Sequence, residues 1–367
     1  VSTFSATSYF VPPKGTTAER PSDCEPGSIR FNTETANLEY FRGKTLGWSQ
    51  FELVNPNLGG GTGSNTGLGA RGLYKTGQKA PSSGSYSDAI DFLTISTLGN
   101  AQDFGDTSAS RSSNSALSSR TRGIIGAGYG PSNQIEFVTI ASTGNSTDFG
   151  DQHTGQLGGC TSGAGDRTRG LYAGGYAAPY SITNAIGYIT IAQTGNSVDF
   201  GDLTRTRYAT SCMASPTRGV FGGTAPAYVN TISYVNIQTQ GNAAYFGDLN
   251  LTSGNGAAAS NAVRGIFFHG LIPGAYTNSI DYVTMASQGN AVDFGDKTND
   301  AYYGAGCASP TRAIYAGGAT PVPSPSTDIN TIQYVQIPTT GNATDFGDLT
   351  ETVRGKGGLS NGHGGLG

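Results

Sequence analysis

The chain is poor in charge and in histidine, and it has no long apolar run. Of its 367 residues, 13% are charged, and the formal net charge is -4. A weakly acidic chain without a basic stretch lacks the charge pattern of proteins that bind nucleic acids or anionic membranes. No segment approaches the ~20 apolar residues of a membrane-spanning helix, so membrane insertion is not expected. Residues 1–10 have neither a basic region nor an apolar core, unlike a secretory signal.

The few cysteines and histidines limit the metal and redox chemistry that the chain can support. The cysteines are Cys24, Cys160, Cys212 and Cys307, and the histidines are His153, His269 and His363. Without a Cys-x-x-Cys pair the thiols are expected to be free, as in a reducing cytoplasm. No Gly-x-Ser-x-Gly motif is present, although a Ser/His/Asp triad can be assembled from distant residues. We therefore predict no catalytic residue, no cofactor and no metal, and we expect His269 to be packed or hydrogen-bonded.

One phrase recurs six times along the chain and dominates the sequence. In it a Gly-Asn pair leads to Phe-Gly-Asp, and successive phenylalanines are 45 to 52 residues apart. They are Phe104, Phe149, Phe200, Phe246, Phe294 and Phe346. An alternating run stands upstream of each, beginning at Ile90, Ile135, Ile186, Ile232, Ile280 and Ile332. Before each run stands an Arg phrase, at Arg71, Arg122, Arg169, Arg218, Arg264 and Arg312.

Each phrase has the composition of a β-strand. The Ile runs carry apolar residues in both alternation phases, which suits a strand that is covered on both faces. The Gly-Asn pair fits a tight hairpin turn, because both residues tolerate positive φ. A weaker strand, as at residues 209–214, completes a unit of four. Four short strands in a period near 50 residues predict a β-propeller.

The Arg phrases that end in Gly-Gly, as at residues 169–175 and 312–318, resemble the kelch repeat. The usual tryptophan of that repeat is absent, and Phe-Gly-Asp stands in its place. The resemblance covers about residues 66–367 and implies an all-β, six-bladed kelch-like β-propeller, and nothing about activity. A strand must precede Arg71 to complete the first blade. Residues 357–365 and residues 64–70 are both candidates.

Residues 1–65 stand outside the repeat and predict a small N-terminal β-meander, or attachment segment, followed by a Gly-rich linker. Residues 27–33 and 38–41 have the pattern of two strands around a turn, and residues 48–54 that of a third. A meander of this size is barely stable alone, so we expect it to pack on the propeller, on copies of itself or on another protein. Residues 55–65 have the composition of a flexible linker.

The stretch Gly-Ser-Ile-Arg-Phe-Asn-Thr at residues 27–33, followed by Leu-Glu-Tyr-Phe and Gly-Trp, resembles a module of bacteriophage tail-fibre and other virion proteins. The repeats rich in Thr-Gly-Asn and Asp-Phe-Gly-Asp are similar to structural proteins of tailed phages that infect marine cyanobacteria. The resemblance implies a non-enzymatic virion structural protein of the tail-fibre or appendage type. Such a protein is assembled in the host cytoplasm and displayed outside on the particle. Its N-terminal segment would bind other virion proteins, and a homo-oligomer with several copies would gain avidity.

Three other functions stay open at this point. A head- or neck-decorating protein would share the fold and have no receptor role. A glycan-active enzyme on the propeller scaffold would need a central pocket crowded with acids. A secreted bacterial adhesin would need a signal sequence, which residues 1–10 do not resemble.

The loops between the second and third strands are the most variable part of the repeat, and variable loops on a rigid scaffold commonly carry recognition. Tyrosines recur in them: Tyr86, Tyr129, Tyr176, Tyr180, Tyr228 and Tyr276. Tyrosine joins a flat apolar face to a polar tip, which suits sugar rings and protein partners. We predict that this face binds a host-surface glycan or a protein. The alternative is that the rings pack over the ends of the blades.

Two sets of charged residues, aspartates and arginines, recur in every repeat. An aspartate ends each Phe-Gly-Asp phrase, and together with an earlier aspartate it could bind calcium. Recurrence in every unit favours instead the capping of turns. The six repeated arginines could line the ring or pair with these aspartates, and their recurrence also favours a structural role.

Overall fold

Each sequence repeat forms one four-stranded antiparallel sheet, so the predicted all-β fold is confirmed. The Arg phrases form the second strands, the Ile runs the third strands and the Phe-Gly-Asp phrases the fourth strands. The computed structural model describes residues 12–35, 37–50, 70–79, 85–126, 128, 133–153, 162–177, 181–224, 227–321, 326–355 and 357–366. We number the sheets 1 to 6 in the order of their Arg phrases.

The strand bounds repeat closely from sheet 1 to sheet 6. The first strands are Gly357–Ser360, Ala116–Ser118, Ser162–Gly165, Ser211–Ala214, Ala257–Ser260 and Ala305–Ala308. The second strands are Arg71–Lys75, Arg122–Ile125, Arg169–Ala173, Arg218–Gly222, Arg264–Phe268 and Arg312–Thr320. The third strands are Ala89–Thr94, Gln134–Thr139, Ala185–Thr190, Val229–Asn236, Ser279–Thr284 and Thr327–Gln336. The fourth strands are Gln102–Asp106, Thr147–Asp151, Val198–Asp202, Ala244–Ser253, Val292–Asp296 and Thr344–Asp348.

Sheet 1 takes its first strand from the far end of the sequence. Gly357–Ser360 pairs antiparallel with Arg71–Lys75, which decides between the two candidate strands. Of the other candidate, residues 64–69 lie outside the described residues. Three short strand pairs and one 3-10 turn complete the larger unit. They are Gln78–Lys79 with Val353–Arg354, Tyr176–Ala177 with Ser181–Ile182, Leu271–Ile272 with Ala275–Tyr276, and the turn Gly364–Leu366.

The hydrophobic core lies between the sheets. Six buried clusters each join two consecutive sheets, and one of them joins sheet 6 to sheet 1. The third strands contribute to two clusters at once: Ile280 faces sheet 6, whereas Val283 faces sheet 4. Apolar residues in both alternation phases are therefore explained, because both faces of each third strand are covered.

The Gly-Asn pair joins each sheet to the one before it, in a turn wider than the tight hairpin that the sequence predicts. The N–H of Gly144 donates to the carbonyl of Phe104 at 2.7 Å, and Oδ1 of Asn145 accepts from the N–H of Asp106 at 3.1 Å. Gly105 has a φ of +144°, and a Cβ there would lie 2.5 Å from the oxygen of Gly144. Glycine is therefore required at this contact. Both bonds recur between all consecutive sheets, and between sheet 6 and sheet 1.

The repeated arginine forms a second set of links between sheets. Nη1 of Arg71 donates to the carbonyls of Ile140 and Ala141 at 3.0 and 3.1 Å, and its guanidinium lies 5.0 Å from the ring centre of Phe92. The arginines of sheets 2 to 6 bond to the following sheet in the same way, and that of sheet 6 reaches the carbonyl of Ile95 in sheet 1. The structural role is confirmed. Pairing with the repeated aspartates is not seen among the described residues.

The chain divides into two compact units, Val1–Asn55 and Pro56–Gly367. The smaller unit has the strands Lys14–Gly15, Ile29–Asn32, Asn37–Phe41 and Trp48–Gln50. The last three form the predicted antiparallel meander, and the first pairs in parallel with Ile29–Asn32. The predicted linker at residues 55–65 lies outside the described residues.

Candidate binding site

Two of the predicted tyrosines pack against tyrosines outside the predicted set, with their ring planes tilted by 32° and 41°. The ring centres of Tyr176 and Tyr208 are 4.9 Å apart, and those of Tyr276 and Tyr302 are 5.2 Å apart. Tyr176 and Tyr276 lie in loops that follow the second strand of their sheet. Tyr208 and Tyr302 each stand three residues before the first strand of the next sheet. Tyr303 extends the second pair, with its ring centre 5.2 Å from that of Tyr302.

The remaining predicted tyrosines are less informative. Tyr86 and Tyr228 are half-buried, and neither makes a ring contact with another aromatic side chain of the described residues. Tyr129 and Tyr180 lie outside the described residues. Tyr276 is 41% exposed, so its ring remains available to a partner while it stacks on Tyr302. The shared offset of Tyr208 and Tyr302 from the next first strand is a sequence signal that could have identified both.

A cavity of about 130 Å³ lies among the first strands of all six sheets. Its described lining consists of small or neutral residues together with Tyr303. A second cavity of about 50 Å³ follows the same strands, and one residue from each strand lines both cavities. These six residues are Ala116, Gly163, Cys212, Ala258, Gly306 and Gly358. No Asp, Glu, Lys or Arg occurs among the described residues that line either cavity.

A band of left-handed residues surrounds one end of the larger cavity. Ser113, Ala209, Asn255 and Tyr303 have φ between 51° and 57°, and Gly355 has a φ of 68°. Each stands just before a first strand, and they are joined by backbone N–H to carbonyl bonds of 2.6 to 3.2 Å. The segment that leads into sheet 3, residues 154–161, lies outside the described residues. A left-handed non-glycine residue costs about 1–2 kcal/mol, so the bonds between sheets hold this end in a strained geometry.

The opposite end of the cavities is covered by the segment that follows Gly357–Ser360. Nε2 of His363 lies 2.9 Å from the carbonyl of Ser118, and the N–H of Gly365 donates to Nδ1 of His363 at 3.1 Å. The carbonyl of Leu366 accepts from Arg120 and from Arg167. Burial lowers the pKa of His363, which favours the neutral ring that both bonds require. The paired cavities therefore form a well with a floor at His363.

A Ser–His–Asp arrangement is present away from this well. Oγ of Ser253 lies 2.6 Å from Nδ1 of His269. Nε2 of the same ring lies 2.8 Å from Oδ2 of Asp281. All three side chains are buried, and Ser253 lines neither cavity. The prediction that His269 is packed and hydrogen-bonded is confirmed.

Asp281 occupies a position whose side chain bonds to the preceding sheet, here and in other sheets. It directly follows the repeated isoleucine, and both of its oxygens accept hydrogen bonds from Asn250 of sheet 4, at 2.8 and 2.9 Å. The equivalent residues in sheets 1, 2, 4 and 6 also bond to the preceding sheet. They are Asp91, Glu136, Ser233 and Gln333. The arrangement therefore joins sheet 5 to sheet 4.

Replacing Asp281 by Asn is expected to lower stability by about 1.5–3 kcal/mol at pH 7, the range for hydrogen bonds to charged groups. Burial raises the pKa of Asp281, but the contacts with His269 and Asn250 outweigh it and hold the pKa below its usual 3.8. A lowered carboxyl pKa stabilises the fold above pH 3.8, and this contribution is lost as the pH falls through the folded pKa. The difference in unfolding free energy between the parent and Asp281→Asn, measured by urea unfolding, should therefore become smaller below pH 4. Ser253→Ala is the control, with a small, pH-independent loss, and parallel curves for both variants would contradict the assignment.

The described residues offer no metal centre. No group of three or more His, Cys, Asp or Glu side chains is placed to hold an ion there. The backbone N–H of each repeated aspartate donates to Oδ1 of the asparagine in the next sheet, so asparagine caps this turn. Cys24 and Cys307 are free thiols, Sγ of Cys212 donates to the carbonyl of Gly163 at 2.6 Å, and Cys160 lies outside the described residues. No helix in the described part of the chain is long and apolar enough to cross a membrane.

The smaller unit contains an ion pair between the buried Glu39 and the half-buried Arg20. Arg20 donates to both carboxylate oxygens of Glu39, and Asn32 donates to Oε1 at 2.8 Å. The bonds from Arg20 outweigh burial and lower the pKa of Glu39. Ile29 and Leu46 are 44% and 59% exposed, so the unit also presents apolar surface.

No protein-family model matches this sequence, and no curated protein is significantly similar to it. The function must therefore be argued from the residues and from their geometry.

Proposed function

We propose that the six sheets are the blades of a closed, six-bladed, kelch-like β-propeller. Three independent sets of contacts support this architecture: the apolar clusters, the Gly-Asn links and the arginine links. Each set recurs between consecutive sheets and occurs once more between sheet 6 and sheet 1. In addition, the first strands of neighbouring sheets contact one another, including those of sheets 6 and 1. A closed ring leaves no free sheet edge at its ends.

The protein is a non-enzymatic virion structural protein of the tail-fibre or appendage type. The tail-fibre-like motif at residues 27–33 and 38–41 supports an attachment role for the smaller unit, because it forms the two central strands of that unit's sheet, Ile29–Asn32 and Asn37–Phe41. Its exposed Ile29 and Leu46 suit contact with another virion protein or with copies of the chain. The larger unit is then the displayed part.

The displayed unit binds a host-surface glycan or protein through its tyrosines. The observation that carries this proposal is the repeated construction of the two stacks, Tyr176 on Tyr208 and Tyr276 on Tyr302. Each stack joins two consecutive sheets at the variable loops. Stacked rings are rigid, so little conformational entropy is lost when a sugar ring or a side chain packs on them.

The observations favour binding over catalysis. Glycosidases use paired carboxylates across the scissile bond. The well has no carboxylate among its described lining residues. The Ser253–His269–Asp281 arrangement is buried and belongs to a series of links between sheets.

Labelling of intact particles tests the proposal. Antibodies against the Pro56–Gly367 unit are expected to label the tail or its fibres, and purified full-length chain is expected to reduce the adsorption of particles to host cells. Label confined to the head or neck, with unchanged adsorption, would favour the decoration protein. Absence of the chain from purified particles would reject a virion role.

A further inference from the structure

We propose that the well among the six first strands binds one neutral sugar ring. This ring would be the terminal unit of the glycan that, in the proposed function, binds to the surface formed by Tyr176, Tyr208, Tyr276 and Tyr302, here called the tyrosine face. This inference rests on that function and adds the place and chemistry of the contact. Its basis is the direction of the backbone groups around the well, its lack of charge and its closed floor.

Each first strand has a free edge beside the well, where its backbone polar groups do not bond to the second strand. In every sheet the residue after the first strand donates its N–H to the carbonyl of the repeated arginine, as Ser119 does to Arg122 at 2.9 Å. In an antiparallel pair, hydrogen-bonding direction alternates along the strand. The six shared lining residues stand three positions earlier, so their N–H and C=O groups point away from the second strand. The carbonyl of Ser118, one position before Ser119, shows this direction by meeting Nε2 of His363.

In the six residues that line both cavities, backbone donors and acceptors are equal in number, and these groups carry no net charge. Each of the six residues supplies one N–H donor and one carbonyl acceptor, and the carbonyl of Gly163 already accepts from Sγ of Cys212. A hydroxyl group is both donor and acceptor, so a ring of hydroxyls matches such a lining. A carboxylate or an ammonium group would meet no charged partner among the described lining residues, and burial would be costly. The lining therefore selects a neutral, polyhydroxylated ligand.

The shape of the well limits the ligand to a single ring. Its larger part measures about 130 Å³, well below the ~300–1,000 Å³ of pockets for drug-sized molecules. His363 and the residues after it cover the far end, so a ligand enters from the end bordered by Ala209 and Tyr303. Tyr303 lines this entrance and packs against Tyr302 with a tilted ring, and Tyr302 packs against Tyr276 in the same way. A glycan chain that leaves the well would therefore pass over the tyrosine face.

Ala209, the residue of sheet 4 at the entrance of the well, can be replaced as a test without changing the strands. Ala209 and Tyr303 occupy equivalent left-handed positions, with φ of 51° and 57°. Ala209→Tyr copies the residue of sheet 6 and is expected to obstruct the entrance. Ala209→Asn copies Asn255 of sheet 5 and is the matched control, because asparagine tolerates this conformation.

The experiment measures binding of methyl glucoside, methyl galactoside, methyl mannoside and N-acetylglucosamine to the full chain by saturation-transfer NMR, with glucuronate as the charged comparison. At least one neutral sugar is expected to bind, with glucuronate at least about tenfold weaker. Ala209→Tyr should abolish binding, and Ala209→Asn should retain it. A crystal structure with the best-binding sugar should show it in the well. Binding of none of the four, or density only elsewhere, would overturn the proposal.

Adsorption to host cells separates failure of the well from failure of the proposed function. If the chain adheres to cells and neither the sugars nor Ala209→Tyr reduce adhesion, the tyrosine face stands and the well is rejected. If a neutral sugar binds in the well but the chain does not adhere to cells, the well stands and the receptor role is rejected.

Discussion

A chain truncated after Gly355 is expected to lose most of its folding stability. Truncation removes the first strand of sheet 1, Gly357–Ser360, and the segment that covers the end of the well. Leu359 and Leu366 are 5% and 1% exposed, and loss of a buried leucine costs about 2–5 kcal/mol. Two such losses amount to about 4–10 kcal/mol, out of a typical total of 5–15 kcal/mol. Urea unfolding followed by circular dichroism measures the change.

Two controls separate loss of the closing strand from loss of one side chain. Leu359→Ala in the full chain should cost about 2–5 kcal/mol and leave a single cooperative transition. A synthetic peptide of residues 356–367, added to the truncated chain, should raise its urea midpoint as its concentration increases. An unchanged urea midpoint after truncation would contradict the proposed closure of the ring.

The second large effect is expected on adhesion. Replacing Tyr176 and Tyr276 by Ala removes one ring from each tyrosine stack, and aromatic hot spots contribute about 2 kcal/mol or more each. Loss of two such contacts, about 4 kcal/mol together, predicts an affinity for host cells about a thousandfold weaker, because each 1.4 kcal/mol is about tenfold. Binding of fluorescently labelled protein to cells gives the measurement.

Three comparisons make the tyrosine result specific. The double Phe variant keeps the rings and should keep most of the affinity. Tyr245→Ala removes an exposed tyrosine from a fourth strand, away from the variable loops, and should bind like the parent. All variants should unfold at a similar temperature. Equal adhesion by the double Ala variant and the parent would reject the tyrosine face.

The strands could be predicted from the sequence because the repeat shows every strand type six times. The second strands begin at the arginines that mark the repeat, and the third strands contain the apolar runs. The binding partners of those arginines could not be predicted. Arg71 bonds to backbone carbonyls about 70 residues away, and any residue, proline included, would supply the same groups there, as Pro338 does for Arg264. The amino-acid types at the accepting positions therefore do not indicate this contact.

The candidate site was only partly predictable for a similar reason. Loop variability identified Tyr176 and Tyr276, whereas their partners Tyr208 and Tyr302 stand in the segments before the next sheets. The well is lined largely by backbone groups of small residues, which no side-chain motif indicates. The source of the first strand of sheet 1 was not predictable either, because short Gly- and Ser-rich segments stand at both candidate positions.

The pairing of Gly357–Ser360 with Arg71–Lys75 has a consequence for biosynthesis. A ribosome releases the arginine strand long before it has made the residues that complete the same sheet, since Arg71 and Asn361 are 290 positions apart. Sheets 2 to 6 can assemble during translation from neighbouring segments, but sheet 1 must wait with an unpaired edge. Such a contact of high sequence separation slows folding and exposes a strand to other chains. Completion of sheet 1 is therefore expected to be the last step in the folding of this unit, and crowding of nascent chains should favour aggregation through the unpaired edge.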